Sequence, residues 1–197
     1  MIRTLALATT LALAAPAFAE KNASEAETAE AVQIGPTVGE AAPELAATTS
    51  SGEAATLASL SGESGVAVVF VRSADWCPFC KGQMKDLETA VAPLTEAGWG
   101  LAALSYDPVE TLADFKAEAG LSYTLLSDAD SAVIDAFALR NTDVRAGSQY
   151  DGIPHPAIVF IRSDGSVGAV LREEGYKDRP QVDVVIETAS QLNAAAG

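Results

Sequence analysis

The stretch Val66-Ala67-Val68-Val69-Phe70-Val71, followed after four residues by Trp76-Cys77-Pro78-Phe79-Cys80, decides the fold. An unbroken apolar, β-branched run is typical of a central strand that is buried on both faces. Beyond the cysteines, apolar residues recur at helical spacing with charged residues between them, at Phe79, Met84, Leu87, Val91 and Leu94. The sequence therefore predicts a buried strand that leads into a helix, with a Cys-x-x-Cys pair at the start of that helix and Gly98 at its end.

The rest of the chain alternates between strand and helix patterns. Further strands are predicted over 101–105, 123–126, 157–161 and 167–171, and further helices over 107–120, 127–139 and 178–192. The segment 40–64 predicts turns and short edge strands without a helix, and the polar segment 141–152 predicts a mobile loop. This order predicts an α/β fold in which a central mixed β-sheet is flanked by helices on both faces.

The N-terminal residues predict an exported protein. A basic start, an apolar Leu/Ala/Thr run, a break at Pro16 and the small-x-small site Ala17-Phe18-Ala19 are the layout of a cleavable signal peptide over 1–19. An uncleaved N-terminal anchor and a buried helix are the alternatives. The Ala- and Glu-rich segment 20–35 predicts an acidic tether, because it has few large apolar residues to bury, and a solvated helix is the alternative. We expect the folded domain over 36–197 and the mature protein in the bacterial periplasm, where disulfides persist.

Composition narrows the classes of partner and cofactor. The 197 residues carry 12 Lys and Arg against 27 Asp and Glu, which gives a net charge of −15. Such an acidic chain disfavours nucleic acid and anionic membrane surfaces as partners, because both are polyanions. No apolar run reaches the roughly 20 residues of a membrane span. A zinc site would need two ligands besides the cysteine pair, and His155 is the one histidine, so we expect neither metal nor cofactor.

The cysteine pair carries the predicted chemistry. Unpaired backbone N–H groups and the helix dipole at a helix N-terminus stabilise a thiolate, which is the attacking species in disulfide exchange. Cys80, one turn after Cys77, lies close enough to attack a mixed disulfide and release the product. Pro78 fits the first helical turn, and Trp76 is expected to shield one side of the sulfur. A structural disulfide and half of a zinc site are the alternatives.

Motifs spread over most of the chain carry a resemblance to a known family. They are Val38-Gly39-x-x-Ala42-Pro43-x-Leu45, Val69-Phe70-x-Arg72, Trp76-Cys77-Pro78-Phe79-Cys80, Leu126-Ser127-Asp128 and Pro154-His155-Pro156-Ala157. From about Thr37 to Arg179 the chain resembles the redoxin branch of the thioredoxin superfamily. More narrowly, it resembles the peroxiredoxin-like group of the alkyl hydroperoxide reductase/thiol-specific antioxidant (AhpC/TSA) family. The resemblance implies a thioredoxin-like fold, with Cys77 as nucleophile and Cys80 as resolving thiol.

The resemblance also implies a cis proline that precedes the penultimate strand and faces the disulfide. Pro154 and Pro156 compete for this role, and we expect Pro156, which lies directly before the apolar strand and nine residues before Gly165. Its backbone would bind an incoming extended peptide. His155 would then lie near the sulfurs, where it would stabilise the Cys77 thiolate or move a proton. The alternative is a turn histidine without a role.

The chain departs from the family at the groups that activate peroxide. True peroxiredoxins carry a Pro and a Thr or Ser seven and three residues before the peroxidatic cysteine, where this chain has Phe70 and Ala74. They also carry an Arg near the position of Pro156. Arg72 is a possible substitute cation, although an Arg at a strand end is more often a surface ion-pair partner.

Three functions are therefore compatible with the sequence. The leading hypothesis is a secreted thiol-disulfide oxidoreductase that exchanges Cys77–Cys80 with protein thiols and disulfides and needs an unidentified redox partner. The first alternative is a thiol-dependent peroxidase, in which a small hydroperoxide oxidises Cys77 to a sulfenic acid and Cys80 condenses with it. The second alternative is a non-catalytic peptide-binding module. The missing Pro, Thr and Arg count against the peroxidase, and the family resemblance counts for it.

Overall fold

The computed structural model describes residues 33–175 and 177–195, which form one central sheet with helices around it. The strands are β1 (Ala46–Thr49), β2 (Ala54–Thr56), β3 (Gly65–Phe70), β4 (Trp99–Ser105), β5 (Thr124–Ser127), β6 (Ala157–Arg162) and β7 (Val167–Leu171). The helices are α1 (Leu57–Leu60), α2 (Pro78–Asp86), α3 (Val91–Glu96), α4 (Val109–Ala119), α5 (Ala132–Ala136) and α6 (Val182–Ala194). A 3-10 turn, Leu87–Ala90, joins α2 to α3.

The sheet is mixed and has β3 near its centre. Its strand order is β2-β1-β5-β4-β3-β6-β7. The neighbouring strands β3, β4 and β5 are parallel, whereas β6, β7, β1 and β2 join by antiparallel pairs. Every residue of β3 is buried, as the apolar run predicted. The parallel register brings the carboxyl ends of β3, β4 and β5 to one edge of the sheet.

Alternate side chains of β3 enter two apolar cores, one on each face of the sheet. Ala67 and Val69 belong to the core that α2, α3, α4 and α6 cover. Val66, Val68 and Phe70 belong to the core on the opposite face, which includes α5 and β1. The predicted arrangement, a mixed sheet with helices on both faces, is confirmed.

The helix that follows the cysteines is interrupted rather than continuous. Its end is as predicted, because Gly98 has a φ of +81°, which favours glycine. The 3-10 turn in its middle has two causes. Pro93 has no N–H and cannot bond the carbonyl of Thr89. The second cause is a hydrogen bond from the Thr89 hydroxyl to the carbonyl oxygen of Asp86 at 2.7 Å, which competes with the regular backbone hydrogen bonds of an α-helix.

The prediction that the segment 40–64 contains no helix is wrong. It contains the short helix α1, which begins with a capping box between Thr56 and Ser59. The last helix begins at Val182 instead of 178, because Pro180 disfavours helical backbone in the residue before it.

The helix predicted over 127–139 is limited to α5. The Asp128 carboxylate accepts the backbone N–H groups of Val133 at 3.1 Å and Ile134 at 2.8 Å, and so caps this helix from outside it. Burial raises the pKa of Asp128, and these two hydrogen bonds oppose that rise. The last motif residue of Leu126-Ser127-Asp128 thus has a structural role.

The N-terminal predictions fall mostly beyond the described part of the chain. The predicted signal peptide, 1–19, and residues 20–32 of the predicted tether lie outside the described residues. Gln33 donates to the Thr37 hydroxyl at 2.9 Å, and the Gly35 N–H donates to the carbonyl of Ala138 at 2.9 Å. Within the described ranges, no helix is both long and apolar enough to cross a bilayer.

We expect the substitution Gly65→Ala to destabilise the protein by at least about 2–3 kcal/mol, since the strand cannot move without losing its pairing. A Cβ at Gly65 would lie 2.0 Å from the carbonyl oxygen of Ile161 on β6, and the φ there is +137°. Gly82→Ala is the matched control: Gly82 lies in α2 with nothing within 4 Å of an added Cβ, so the change should stabilise by about 0.5–1 kcal/mol. Urea unfolding measures both, and equal effects of the two substitutions would contradict the prediction.

Candidate active site

Cys77 and Cys80 form a disulfide at the start of α2, with their Cα atoms 5.3 Å apart. Cys77 is the N-cap residue of α2, and its Sγ accepts the backbone N–H of Cys80 at 3.3 Å. Pro78 occupies the first turn, as predicted. An N-cap position directs the partial positive charge of the helix end at Sγ, so the geometry favours a thiolate at Cys77 once the disulfide is reduced.

The inner face of α2 begins with Cys80 rather than with Phe79. Cys80, Gln83 and Met84 are buried and follow the i, i+3, i+4 spacing of one helix face. Phe79, which the sequence pattern placed on that face, is 41% exposed. An exposed aromatic ring therefore lies between the two cysteines in sequence.

A buried carboxylate holds the turn that precedes Cys77. Asp107 follows β4 and is 4% exposed. Its Oδ1 accepts the Ser73 hydroxyl at 2.8 Å, and its Oδ2 accepts the Ala74 N–H at 2.6 Å and the Ser105 hydroxyl at 2.7 Å. The Ser127 hydroxyl donates to the Asp107 carbonyl at 2.7 Å. Asp107 thus connects the carboxyl ends of β3, β4 and β5, a role that the sequence analysis did not identify.

The Ser73 hydroxyl extends this network toward the cysteines. It accepts the backbone N–H groups of Asp75 at 2.9 Å and Trp76 at 3.3 Å while it donates to Asp107. Its hydrogen is therefore committed to the carboxylate. The neighbouring Ala74 is buried and has no hydroxyl to offer.

The ring of Trp76 is held by two tyrosines. Its indole N–H donates to the Tyr106 hydroxyl at 3.0 Å, and that hydroxyl donates to the carbonyl of Gln149 at 3.0 Å. Burial raises the pKa of Tyr106, which keeps this donor protonated. Tyr150 packs its ring against Trp76 at a centroid distance of 4.7 Å. Through this hydrogen bond and this ring contact, the polar loop between α5 and β6 packs against Trp76, the residue that precedes Cys77.

Two arginines lie near the disulfide. Arg179 Nη2 is 3.4 Å from Cys80 Sγ, and the guanidinium carbon of Arg72 is 5.0 Å from the ring centroid of Trp76. Burial and the charge of Arg72 lower the pKa of Arg179, and Asp178 opposes that shift. Arginine stays protonated in proteins, so Arg179 presents a cation to the sulfur. No sequence signal pointed to Arg179, which is 99 residues from Cys80.

His155 has partners of its own at this edge of the sheet. Its backbone N–H donates to the carbonyl of Leu139 at 2.7 Å. Burial, and then the charge of Arg172, lowers the pKa of His155, while Asp143 opposes the shift. The imidazole is therefore mainly neutral near pH 7. Its role at the sulfurs stays a prediction.

The expectation of a cis peptide bond before Pro156 is wrong. None of the peptide bonds in the described ranges is cis. Pro154 forms a bridge with Arg140, and the His155 backbone is bonded to Leu139, so the chain enters β6 in an extended form. That path needs no tight turn, and trans is the favoured isomer of an X-Pro bond. The pairing of Ala157 with the last residue of β3 nevertheless brings Pro156 to the edge of the sheet from which the cysteine turn departs.

The fold and the disulfide together define a thioredoxin-fold redoxin. The family model described as the AhpC/TSA family matches residues 38–170, and the chain belongs to this family.

Individual relatives agree with this assignment. Peroxiredoxin Bcp of Escherichia coli (strain K12) is 31% identical over 148 residues, which cover 75% of this chain and 92% of that protein. The structure of peroxiredoxin Q from Xanthomonas campestris is 25% identical, with a TM-score of 0.62 over 78% of this chain and 92% of its own. Peroxidoxin BcpB from Mycobacterium tuberculosis, at 20% identity, shares the fold with a TM-score of 0.67 over 82% of this chain and 98% of its own. The chain is a peroxiredoxin-like oxidoreductase.

We expect Asp107→Asn to lower the free energy of unfolding by about 1–3 kcal/mol. The Asp107 carboxylate accepts three hydrogen bonds, from the Ser73 and Ser105 hydroxyls and the Ala74 N–H. In one orientation the NH2 group of Asn would face the Ala74 N–H, which is itself a donor. In the other it would face the Ser73 hydroxyl, which already accepts two backbone N–H groups. Asp75→Asn removes the same charge from an exposed neighbour and should change stability by less than about 0.5 kcal/mol. Urea unfolding at neutral pH makes the comparison, and equal stability of the two variants would refute the anchoring role.

Proposed function

We propose that this protein is a thiol-dependent peroxidase that reduces hydroperoxides through Cys77. The position of Cys77 Sγ, at the N-terminus of α2 in a domain of the AhpC/TSA family, carries the proposal. Curated relatives of this chain are peroxiredoxins, which supports a hydroperoxide as the oxidant.

The proposed reaction has three balanced steps. The Cys77 thiolate attacks the distal oxygen of ROOH, the O–O bond breaks, and the products are Cys77–SOH and, after protonation, ROH. The Cys80 thiolate then attacks the Cys77 sulfur and displaces hydroxide, which leaves as water and closes the disulfide. Two thiol equivalents from a reductant reopen the disulfide by thiol exchange and return both cysteines to the reduced state.

Arg72 is the proposed substitute for the arginine that peroxiredoxins use to polarise the peroxide. Its guanidinium lies over the ring of Trp76, the residue that directly precedes Cys77. A delocalised cation in this position would stabilise the charge that develops on the leaving oxygen.

Thiol-disulfide exchange with other proteins is the second candidate function. Ala74 occupies the position of the hydroxyl that activates peroxide in the family, and the adjacent Ser73 hydroxyl donates to Asp107. A site without that hydroxyl favours sulfur over oxygen as the electrophile. A protein dithiol would reduce the Cys77–Cys80 disulfide by attack of its thiolate on Cys77 Sγ, with Cys80 as the leaving group. The reduced pair would in turn reduce a protein disulfide by attack of the Cys77 thiolate, and Cys80 would then release the reduced partner.

Export to the periplasm is also part of the proposal. The basic start, the apolar run and the small-x-small site over 1–19 support it. A periplasmic protein would need a thiol reductant that is supplied across the inner membrane, since the compartment itself is oxidising.

We expect the reduced protein to react with hydrogen peroxide or cumene hydroperoxide orders of magnitude faster than a free thiolate. Stopped-flow fluorescence would follow Trp76, which lies next to Cys77. Cys77→Ser should abolish the reaction. Cys80→Ser should still form one sulfenic acid per chain, detectable by mass spectrometry after trapping, but should not turn over.

The same instrument decides between the two candidates. A reduced protein that reacts with peroxide no faster than a free thiolate, but quickly with a mixed-disulfide peptide, would refute the peroxidase and support thiol-disulfide exchange. The Cys77→Ser variant is the control for both substrates.

We expect the exported protein to begin at Glu20. Expression of residues 1–197 in a Gram-negative host, followed by osmotic-shock fractionation and intact-mass measurement, tests this directly. Ala19→Asp, which places a charge where signal peptidase requires a small residue, should leave the precursor uncleaved. Recovery of an uncleaved wild-type chain in the cytoplasm would rule export out.

A further inference from the structure

We propose that Arg179 is a catalytic residue whose guanidinium stabilises the Cys80 thiolate each time the Cys77–Cys80 disulfide forms or opens. The inference rests on the proposed thiol chemistry of this pair, but not on whether the oxidant is a peroxide or a disulfide. It assigns a charge partner to Cys80. Cys80 lies within α2, whereas Cys77 is the N-cap residue and is closer to the positive end of the helix dipole.

The contact is specific and built into the fold. Arg179 Nη2 lies 3.4 Å from Cys80 Sγ, within hydrogen-bonding distance for sulfur, and Cys80 is completely buried. Arg179 Nη1 donates to the Asp178 carbonyl at 2.6 Å, and the Arg179 carbonyl accepts the Gln181 side-chain amide at 3.3 Å. Both the guanidinium and the backbone of Arg179 are thus held in place where the chain approaches α6.

The guanidinium of Arg179 faces a neutral sulfur atom in the oxidised protein. A disulfide is neutral, so it offers no countercharge to Arg179 or to Arg72, which acts on it from the turn before Cys77. The charge of Asp178, next to Arg179 in the chain, raises the pKa of Arg179 and so opposes the effect of Arg72. A thiolate at Cys80 would place a full negative charge 3.4 Å from the guanidinium, so the interaction is much stronger in the reduced state than in the disulfide.

Cys80 carries charge in two steps of the cycle. In disulfide formation its thiolate attacks the sulfur of Cys77–SOH, or of a mixed disulfide on Cys77, and hydroxide or the partner thiolate leaves. In re-reduction a thiolate of the reductant attacks Cys77 Sγ, the bond from Cys77 to Cys80 breaks, and Cys80 leaves with the electron pair. A better stabilised Cys80 thiolate is both more populated as a nucleophile and faster as a leaving group. The first oxidation, at Cys77, does not involve Cys80 as a charged group.

The test compares Arg179→Gln with Arg179→Lys and with the control Arg162→Gln. Arg162 ends β6 opposite Gly65, at the far end of β3 from the cysteines, so the control removes the same charge at a distance. In a Cys77→Ser background, absorbance at 240 nm against pH reports the titration of Cys80. Arg179→Gln should raise its midpoint by about one pH unit or more, since an opposite charge at this distance has an effect of that size. Arg162→Gln should not move it, and Arg179→Lys should remain close to the parent protein.

Kinetics on the chain with both cysteines give the second readout. Reduction of the disulfide by dithiothreitol, followed by tryptophan fluorescence, should slow about three- to tenfold in Arg179→Gln. The rate of the first step with peroxide should change less than about twofold. Circular dichroism checks that each variant is folded. If Arg179→Gln does not fold, the test is the comparison of Arg179→Lys with the parent protein, because a retained cation should preserve both the Cys80 titration and the rate of re-reduction.

Three outcomes would overturn the proposal. The first is an Arg179→Gln variant in which neither the Cys80 titration nor the rate of re-reduction changes. The second is an Arg179→Gln variant that is slower only in the first step with peroxide. The third is an Arg179→Lys variant that is re-reduced as slowly as Arg179→Gln or, if Arg179→Gln does not fold, clearly more slowly than the parent protein. The titration and the re-reduction need no peroxide. A protein that fails as a peroxidase can therefore still confirm the role of Arg179, and the two failures are distinguishable.

Discussion

The carboxylate of Asp107 is the constraint on which the geometry of the cysteine pair depends. A turn that leaves the end of a buried strand must satisfy its backbone N–H groups without water, and here Asp107 accepts one of them directly and fixes Ser73, which accepts two more. With that turn fixed, Cys77 reaches the N-cap position of α2, and its sulfur meets the Cys80 N–H. The position of the nucleophile at the helix N-terminus therefore depends on Asp107, which follows the neighbouring strand β4 and touches neither sulfur in the contacts described.

The parts of the fold that follow from local pattern could be predicted from the sequence. The run 66–71 identified β3 because a short, β-branched and continuously apolar segment is typical of a strand covered on both faces, and the Cys-x-x-Cys with Pro78 identified the start of α2. Asp107 was within reach of the same reasoning. It follows a predicted strand parallel to β3, and the carboxyl ends of adjacent parallel strands share an edge, so polar residues there converge on the turn after β3.

Features that depend on long-range geometry could not be predicted in this way. Arg179 reaches Cys80 only because α6 packs against the same core as α2, which no spacing in the sequence reveals. The expected cis bond at Pro156 was carried over from a family resemblance. The actual path into β6 depends on the bridge between Pro154 and Arg140, which lie 14 residues apart in the chain. The interruption after α2 was in principle visible at Pro93, but helical spacing on both sides of it concealed the break.

The site separates into two halves with different implications for function. Around Cys80, burial and the Arg179 cation serve any reaction in which the disulfide forms or opens, so they are shared by a peroxidase and by a thiol-disulfide exchanger.

Around Cys77, the two reactions make different demands, because a peroxide has a leaving oxygen that needs hydrogen-bond donors and a disulfide has a leaving sulfur that does not. Ala74 has no side-chain donor, and the Ser73 hydroxyl donates to Asp107. The cation proposed to assist a leaving oxygen is therefore Arg72, whose guanidinium lies over the ring of Trp76. If the proposed peroxidase function holds, selectivity between the two oxidants would depend on how well Arg72 stabilises an oxygen leaving group, because the cysteine pair itself is suited to both reactions.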